Sequence, residues 1–206
     1  TLKNIAIGSS VFQAFKPSSM GDLFNLKVFW WHSLRCAVLS RLIAKHLHYK
    51  NPEEAFLVGL LHDIGRLVLW VNFPKEYTEL LEKFNGRPDL LLAGEIRQGL
   101  THCEVGAWLL HRWKLQSFLV DAVLYHHESV EKIKGSLLLV KIIYVANALA
   151  NRLGQDGNEG PEIIPKEVLG LTSDEIDALM TKADEAVDEV ARLLDMEIEA
   201  PGAAGP

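Results

Sequence analysis

The sequence predicts an all-α protein, a helical bundle around a single core, and three observations lead there. Helix start signals recur along the chain, alternating runs rich in β-branched residues are scarce, and 49% of the 206 residues are hydrophobic. That length buries one core and is too short for two full-sized domains. The clearest start is Asn51-Pro52-Glu53-Glu54, where a capping side chain precedes a proline at the first helical position and two acids face the positive end of the dipole. Before it a helix is expected from about Leu23 to His48. Val28, Cys36, Leu39 and Ile43 make one apolar stripe on it and Trp30, Leu34, Ala37 and Val38 another, which places it at the centre of the bundle.

Thr101 and Glu104 have capping-box spacing and open a helix at His102 that continues to about Trp113. A helix from Ser117 to His127 follows, then one capped by Ser136 that runs through Leu153 and stops at Gly154. Gln155 to Pro165 reads as a polar loop. Thr172 and Glu175 repeat the capping box and open an acidic amphipathic helix from Ser173 to about Leu194. The chain then divides into a helical segment over residues 1–22, read as the end of an upstream module, a metal-binding helical core over 23–154, a loop over 155–172, the amphipathic helix over 173–199, and a disordered tail over 200–206.

A net charge of -6 with no basic run argues against a nucleic-acid partner, because that affinity comes largely from neutralising phosphates. Cys36 and Cys103 fall in different predicted helices and read as free, buried thiols, Cys103 as a small hydrophobe. No leader-like segment and no stretch of 18 uncharged apolar residues appears, so the expectation is a cytoplasmic protein without a membrane partner.

Five histidines and an aspartate lie within or at the ends of core-like segments: His32, His62, Asp63, His102, His126 and His127. Burying several imidazoles and a carboxylate together costs several kcal/mol unless charge and lone pairs find partners, and a divalent ion answers both. Consecutive residues on a continuous helix diverge by about 100°. His62 and Asp63 can then share an ion only if it lies close against the helix flank, and Gly65 leaves room for that approach. His126 and His127 form a second adjacent pair at a helix end, so one or two ions are expected. Imidazole and carboxylate ligands suit transition metals, with Fe or Mn favoured and Zn or Ni also compatible. His46, His48 and His111 read as surface residues near helix ends.

Leu60-Leu61-His62-Asp63-Ile64-Gly65-Arg66 resembles the LLHDIGK signature of the HD metal-dependent phosphohydrolase superfamily, and His32 in Trp31-His32-Ser33 is similar to its upstream ligand. His102-Cys103-Glu104-Val105-Gly106-Ala107 resembles the H-x-E-x-G-A segment and His126-His127-Glu128 the HHE motif. Pro52-Glu53-Glu54-Ala55-Phe56, Pro74, Tyr77 and Trp113-Lys114-Leu115 resemble the HDOD branch in particular. The resemblance covers roughly residues 8–153 and implies an HD-domain-like helical bundle. It also implies a bacterial signal-transduction role, with His32, His62, Asp63, His102, His126 and His127 as metal ligands and Asn147 at the position of a closing aspartate. Three departures matter. Asn147 is neutral, Arg66 replaces a lysine and offers a planar fork to a phosphate, and no Gly-Tyr-Pro motif of the cyclic-di-GMP phosphodiesterases follows Glu128.

Two functions remain open at this level. One is a regulatory module whose metal centre is structural or sensing and which acts through a signalling protein partner. The other is an active metal-dependent phosphohydrolase acting on a nucleotide or other phosphoester, with Asp63 and Arg66 in catalytic roles and a phosphorylated small molecule as its partner. The oligomeric state is left open.

Overall fold

The computed structural model describes residues 24–84, 88–151, 163–196, 198 and 200. Among them are eleven helices and no strand, as the all-α expectation requires. The first, α1 (Leu26–His46), begins where the Asn25 side chain accepts the backbone N–H of Val28 at 3.1 Å and ends with Lys45 and His46 in its last turn. All of both expected stripes but the half-buried Val28 is inside: Trp30, Leu34, Cys36, Ala37, Val38, Leu39 and Ile43 are buried. Such a helix needs cover on several faces, and α2 (Pro52–Leu61), α9 (Leu138–Ala150) and α11 (Ser173–Leu193) pack against it. Against α2 the approach is close, because a Cβ added to Gly59 would stand 2.7 Å from Ser40 Oγ and 2.8 Å from Ala37 Cα. The Asn51 side chain makes no capping bond, contrary to expectation. The start of α2 rests instead on Pro52 and the acids Glu53 and Glu54.

The largest correction concerns His62 and Asp63. They do not lie inside a continuous helix; they form a two-residue turn between α2 and α3 (Ile64–Asn72), with Asp63 at φ -97° and ψ 6°. Their side chains meet there, with His62 Nε2 3.6 Å from Asp63 Oδ2. Gly65 also has a different role from the one expected, since a Cβ there would overlap the carbonyl of His102. Its bareness admits α6 (His102–Arg112) to the flank of α3, rather than an ion. From α3 the chain continues through α4 (Pro74–Phe84) and α5 (Pro88–Gln98), each packed on its predecessor. Gly99, at φ +84°, follows α5 in the left-handed region that favours glycine.

The expected capping box of α6 forms in full at Thr101 and Glu104. Next, α7 (Ser117–Leu124) packs on α6, α9 and α2 and stops three residues short of His127, leaving His126 and His127 in the turn beyond it. A five-residue α8 (Val130–Lys134) was not expected. The Ser136 hydroxyl donates back to the Lys132 carbonyl at 3.0 Å and does not cap α9, which starts at Leu138. The helix ends at Ala150, and Gly154 lies outside the described residues. The stretch over 155–172, read as loop, contains α10 (Ile163–Leu169), packed on α9 and α8. The expectations for residues 1–22 and for the tail over 201–206 likewise fall outside the described residues.

Thr172 and Glu175 complete the second expected capping box, at the start of α11. Ile176, Leu179, Ala183, Val187 and Ala191 are buried along one stripe of that helix, so it belongs to the core rather than forming a separate appendage. Arg35 of α1 joins it electrostatically. This wholly buried guanidinium donates to Asp184 of α11 at 2.9 Å and to the carbonyls of Leu149 and Ala150 at 3.0 and 2.9 Å. No single helix among the described residues is long and apolar enough to cross a membrane.

Candidate metal centre

Four parts of the fold deliver side chains to one point. His32 comes from the second turn of α1, His62 and Asp63 from the turn between α2 and α3, His102 from the first position of α6, and His126 and His127 from the turn after α7. Asp63 stands at the centre. Its Oδ1 lies 3.3 Å from His102 Nε2 and 3.4 Å from His126 Nε2. Its Oδ2 lies 3.3 Å from Arg66 Nε, 3.6 Å from His62 Nε2 and 3.9 Å from His32 Nε2. Two candidate ligand sets result, Asp63 with His102, His126 and His127, and Asp63 with His32 and His62, the donor atoms in each within 4.8 Å of one another. Asn147 of α9 meets the His32 ring through its side chain and accepts from Asn151 Nδ2 at 3.2 Å. All the residues singled out from the sequence are thus brought together.

Hydrogen bonds on the far side of three rings decide which nitrogen faces inward. His62 Nδ1–H donates to the Gly59 carbonyl at 2.8 Å, His126 Nδ1–H to the Val123 carbonyl at 2.6 Å, and His102 Nδ1–H to Glu95 Oε2 at 2.6 Å. With Nδ1 as the outward donor, each Nε2 faces into the cluster, the position from which a metal-ligating imidazole binds. The residues therefore fit a divalent cation. An independent sign is that the buried atoms Asp63 Oδ1, His126 Nε2 and His127 Nε2 find no hydrogen-bond partner in the protein, a costly state for buried polar atoms unless a cation answers them.

Glu95 escaped the sequence reading. It is buried in α5 and accepts from the backbone N–H of His102 at 2.9 Å and from the Tyr77 hydroxyl at 3.1 Å, besides the His102 ring. The only signal was an acid on the inward side of a helix seven residues before His102. Burial pushes its carboxyl upward, but the bonds from His102 outweigh this and hold it below its ordinary range.

The cluster's own charges are strongly coupled. Burial opposes ionisation of Asp63, yet Arg66 and His62 beside it hold the carboxyl well below the usual range. Burial opposes protonation of His126, but Cys103 and Asp63 raise it to about 9. His102 is likewise raised against its burial and the opposing charge of Arg66, by the neighbouring Asp63, Cys103 and Glu95. Burial, then the charge of His62, holds His32 down at about 3. Cys103 is buried as expected, but it also faces the cluster: its Sγ lies 3.5 Å from His102 Nε2, and although burial opposes it, His126 and His102 lower the thiol to about 6. Both cysteines are free and buried. His48 and His111 are exposed as expected, and His46 pairs with Glu175 at 3.0 Å on the surface.

Fold and site together define an all-α domain of the histidine-aspartate type, with a side-chain cluster that could hold a metal ion. More narrowly, the chain belongs to the HDOD domain family, whose model matches residues 1–129. It is 28% identical over 121 residues to an uncharacterized protein of Treponema pallidum strain Nichols, a match covering 57% of this chain and 23% of that protein. The chain thus spans under a quarter of that relative's length. Among solved structures it resembles an HDOD domain protein of unknown function from Geobacter sulfurreducens at 24% identity, covering 93% of this chain and 67% of that one, with a TM-score of 0.62. It also resembles the MmoQ response regulator of Methylococcus capsulatus strain Bath at 25% identity, covering 79% and 64%, with a TM-score of 0.65. A protein of Shewanella amazonensis SB2B, named only provisionally as a phosphohydrolase, matches at 24% identity over 94% of this chain and 72% of that one, with a TM-score of 0.73.

Proposed function

We propose that this chain is a cytoplasmic regulatory domain of bacterial signal transduction, in which the cluster holds a divalent transition metal as a structural or sensing element and a signalling protein is the partner. The observation that carries this reading is the enclosure of the cluster. His62, Asp63, His102 and His126 are all buried, and Arg66, only 12% exposed, is held against Asp63 at 3.3 Å. A guanidinium engaged in this way is poorly placed to receive a phosphate from solvent, and Asn147 brings no charge to the closing ligand position. Likeness to a response regulator supports the signalling role. Five imidazoles with one carboxylate favour Fe or Mn, with Zn or Ni next.

Retention of nearly all the expected nitrogen ligands favours a second reading, a metal-dependent phosphohydrolase acting on a nucleotide or other phosphoester. Bound there, a divalent ion supplies Lewis acidity towards a phosphoryl oxygen. Asp63 would orient the site, and Arg66 would have to swing from Asp63 to a phosphate oxygen. Elemental analysis of purified protein, together with phosphate release from a substrate panel with Mn, Fe, Zn or Ni, separates the two. The regulatory reading expects bound metal and no release that depends on His62; metal-dependent turnover lost in His62→Ala would transfer the conclusion to the enzyme.

A further inference from the structure

We infer that the two halves of the cluster are not equivalent: a cation is held first and most tightly by Asp63, His102, His126 and His127, whereas at His32 and His62 the Arg66 guanidinium already supplies the positive charge. The inference rests on the metal reading above. Unmet demand that a cation could answer is concentrated on the first half, where the partnerless buried atoms Asp63 Oδ1, His126 Nε2 and His127 Nε2 lie; Arg66 Nε on the other half, which also lacks a hydrogen-bond partner, is itself a cationic donor. Support from behind is strongest there too. Glu95, an anion, grips both the ring and the backbone of His102, whereas His62 is backed by the neutral Gly59 carbonyl, with the Cys36 thiol as a further partner. A carboxylate behind a ligating imidazole raises its basicity and fixes its orientation.

The other half is already provided for. His62 Nδ1–H is given to Gly59, and the Nε2 atoms of His32 and His62 already share a hydrogen bond at 3.3 Å. A cation between these rings would first have to break that bond. Arg66 Nε stands 3.3 Å from Asp63 Oδ2, on the oxygen that this half would need, and a divalent ion beside the guanidinium meets like-charge repulsion in a desolvated site. Asn147, which faces His32, adds no anion to offset it.

The test titrates metal-free full chain with Mn(II) by calorimetry and equilibrium dialysis, with circular dichroism confirming a common fold. His127→Gln and His32→Gln form a matched pair, because both rings lie at the partly exposed rim of the cluster. Wild type should take up one ion tightly. His127→Gln should weaken it severely and Glu95→Gln by roughly 10-fold to 100-fold, while His32→Gln leaves it nearly unchanged. Arg66→Gln should reveal a second ion that the double variant with His32→Gln does not bind. Loss of the first ion in His32→Gln with retention in His127→Gln, or two equally tight ions in wild type, would overturn the asymmetry and leave the metal reading standing. Failure of wild type to bind Mn, Fe or Zn sinks the metal reading and this inference with it.

Discussion

At His102 a single carboxylate sets both the tautomer and the pose of the ring, and the same carboxylate leaves a trace in the acid stability of the protein. Glu95 is held below its ordinary 4.5 in the folded state. Its contribution is therefore present above that value and lost as pH falls through the lower folded one. Glu95→Gln should flatten the acid limb of a stability profile, measured by denaturant unfolding from neutral pH downward. His126 works in the opposite sense. Raised from 6.5 to about 9, it adds stability to the metal-free protein that is full below 6.5 and lost as pH rises through about 9. The same proton must leave before Nε2 can ligate, so Mn(II) affinity should climb over that window as metal-free stability declines. An affinity independent of pH would contradict this assignment.

At the scale of elements, two contacts act differently on the site. The crossing of α3 and α6 at Gly65 positions His102 directly, since a side chain there would collide with the His102 carbonyl. Gly65→Ala should cost at least about 1–3 kcal/mol by overpacking and should weaken metal uptake as well, read by thermal unfolding beside Mn(II) titration. Packing of α11 on α1 bears on stability alone. Leu179 is buried in that seam far along the chain from every candidate ligand. Its truncation to alanine should cost roughly 2–5 kcal/mol and leave the metal affinity of the folded fraction unchanged.

Over the whole molecule, Arg35 is the fastening that joins the central helix, the end of α9 and α11. Its guanidinium is wholly buried, and Asp184 answers it from a position 46% exposed. Water can partly replace that carboxylate, so Asp184→Ala should cost about 1–3 kcal/mol, measured as a lower midpoint of unfolding; Arg35→Ala should cost more, because the α9 carbonyls lose their donor too. Much of this architecture was legible in the chain. Both capping boxes, the proline start of α2, the two-striped central helix and the set of histidines follow from local chemistry, because caps and helical periodicity act within a few residues. Other features depend on which segments meet. The break at His62 and Asp63 obeys no strong local signal, and α8 is too short to leave a periodic pattern. Glu95 and Arg35 reveal their roles only through partners elsewhere in the fold, His102 and Tyr77 for the first and α9 and α11 for the second. The amino-acid sequence alone determined the helical class, the main helix starts and the supply of imidazoles. Tertiary packing decided how Asp63 divides its two oxygens and which rings face each, because an ion site is defined by distances of a few ångströms between groups that the chain holds far apart.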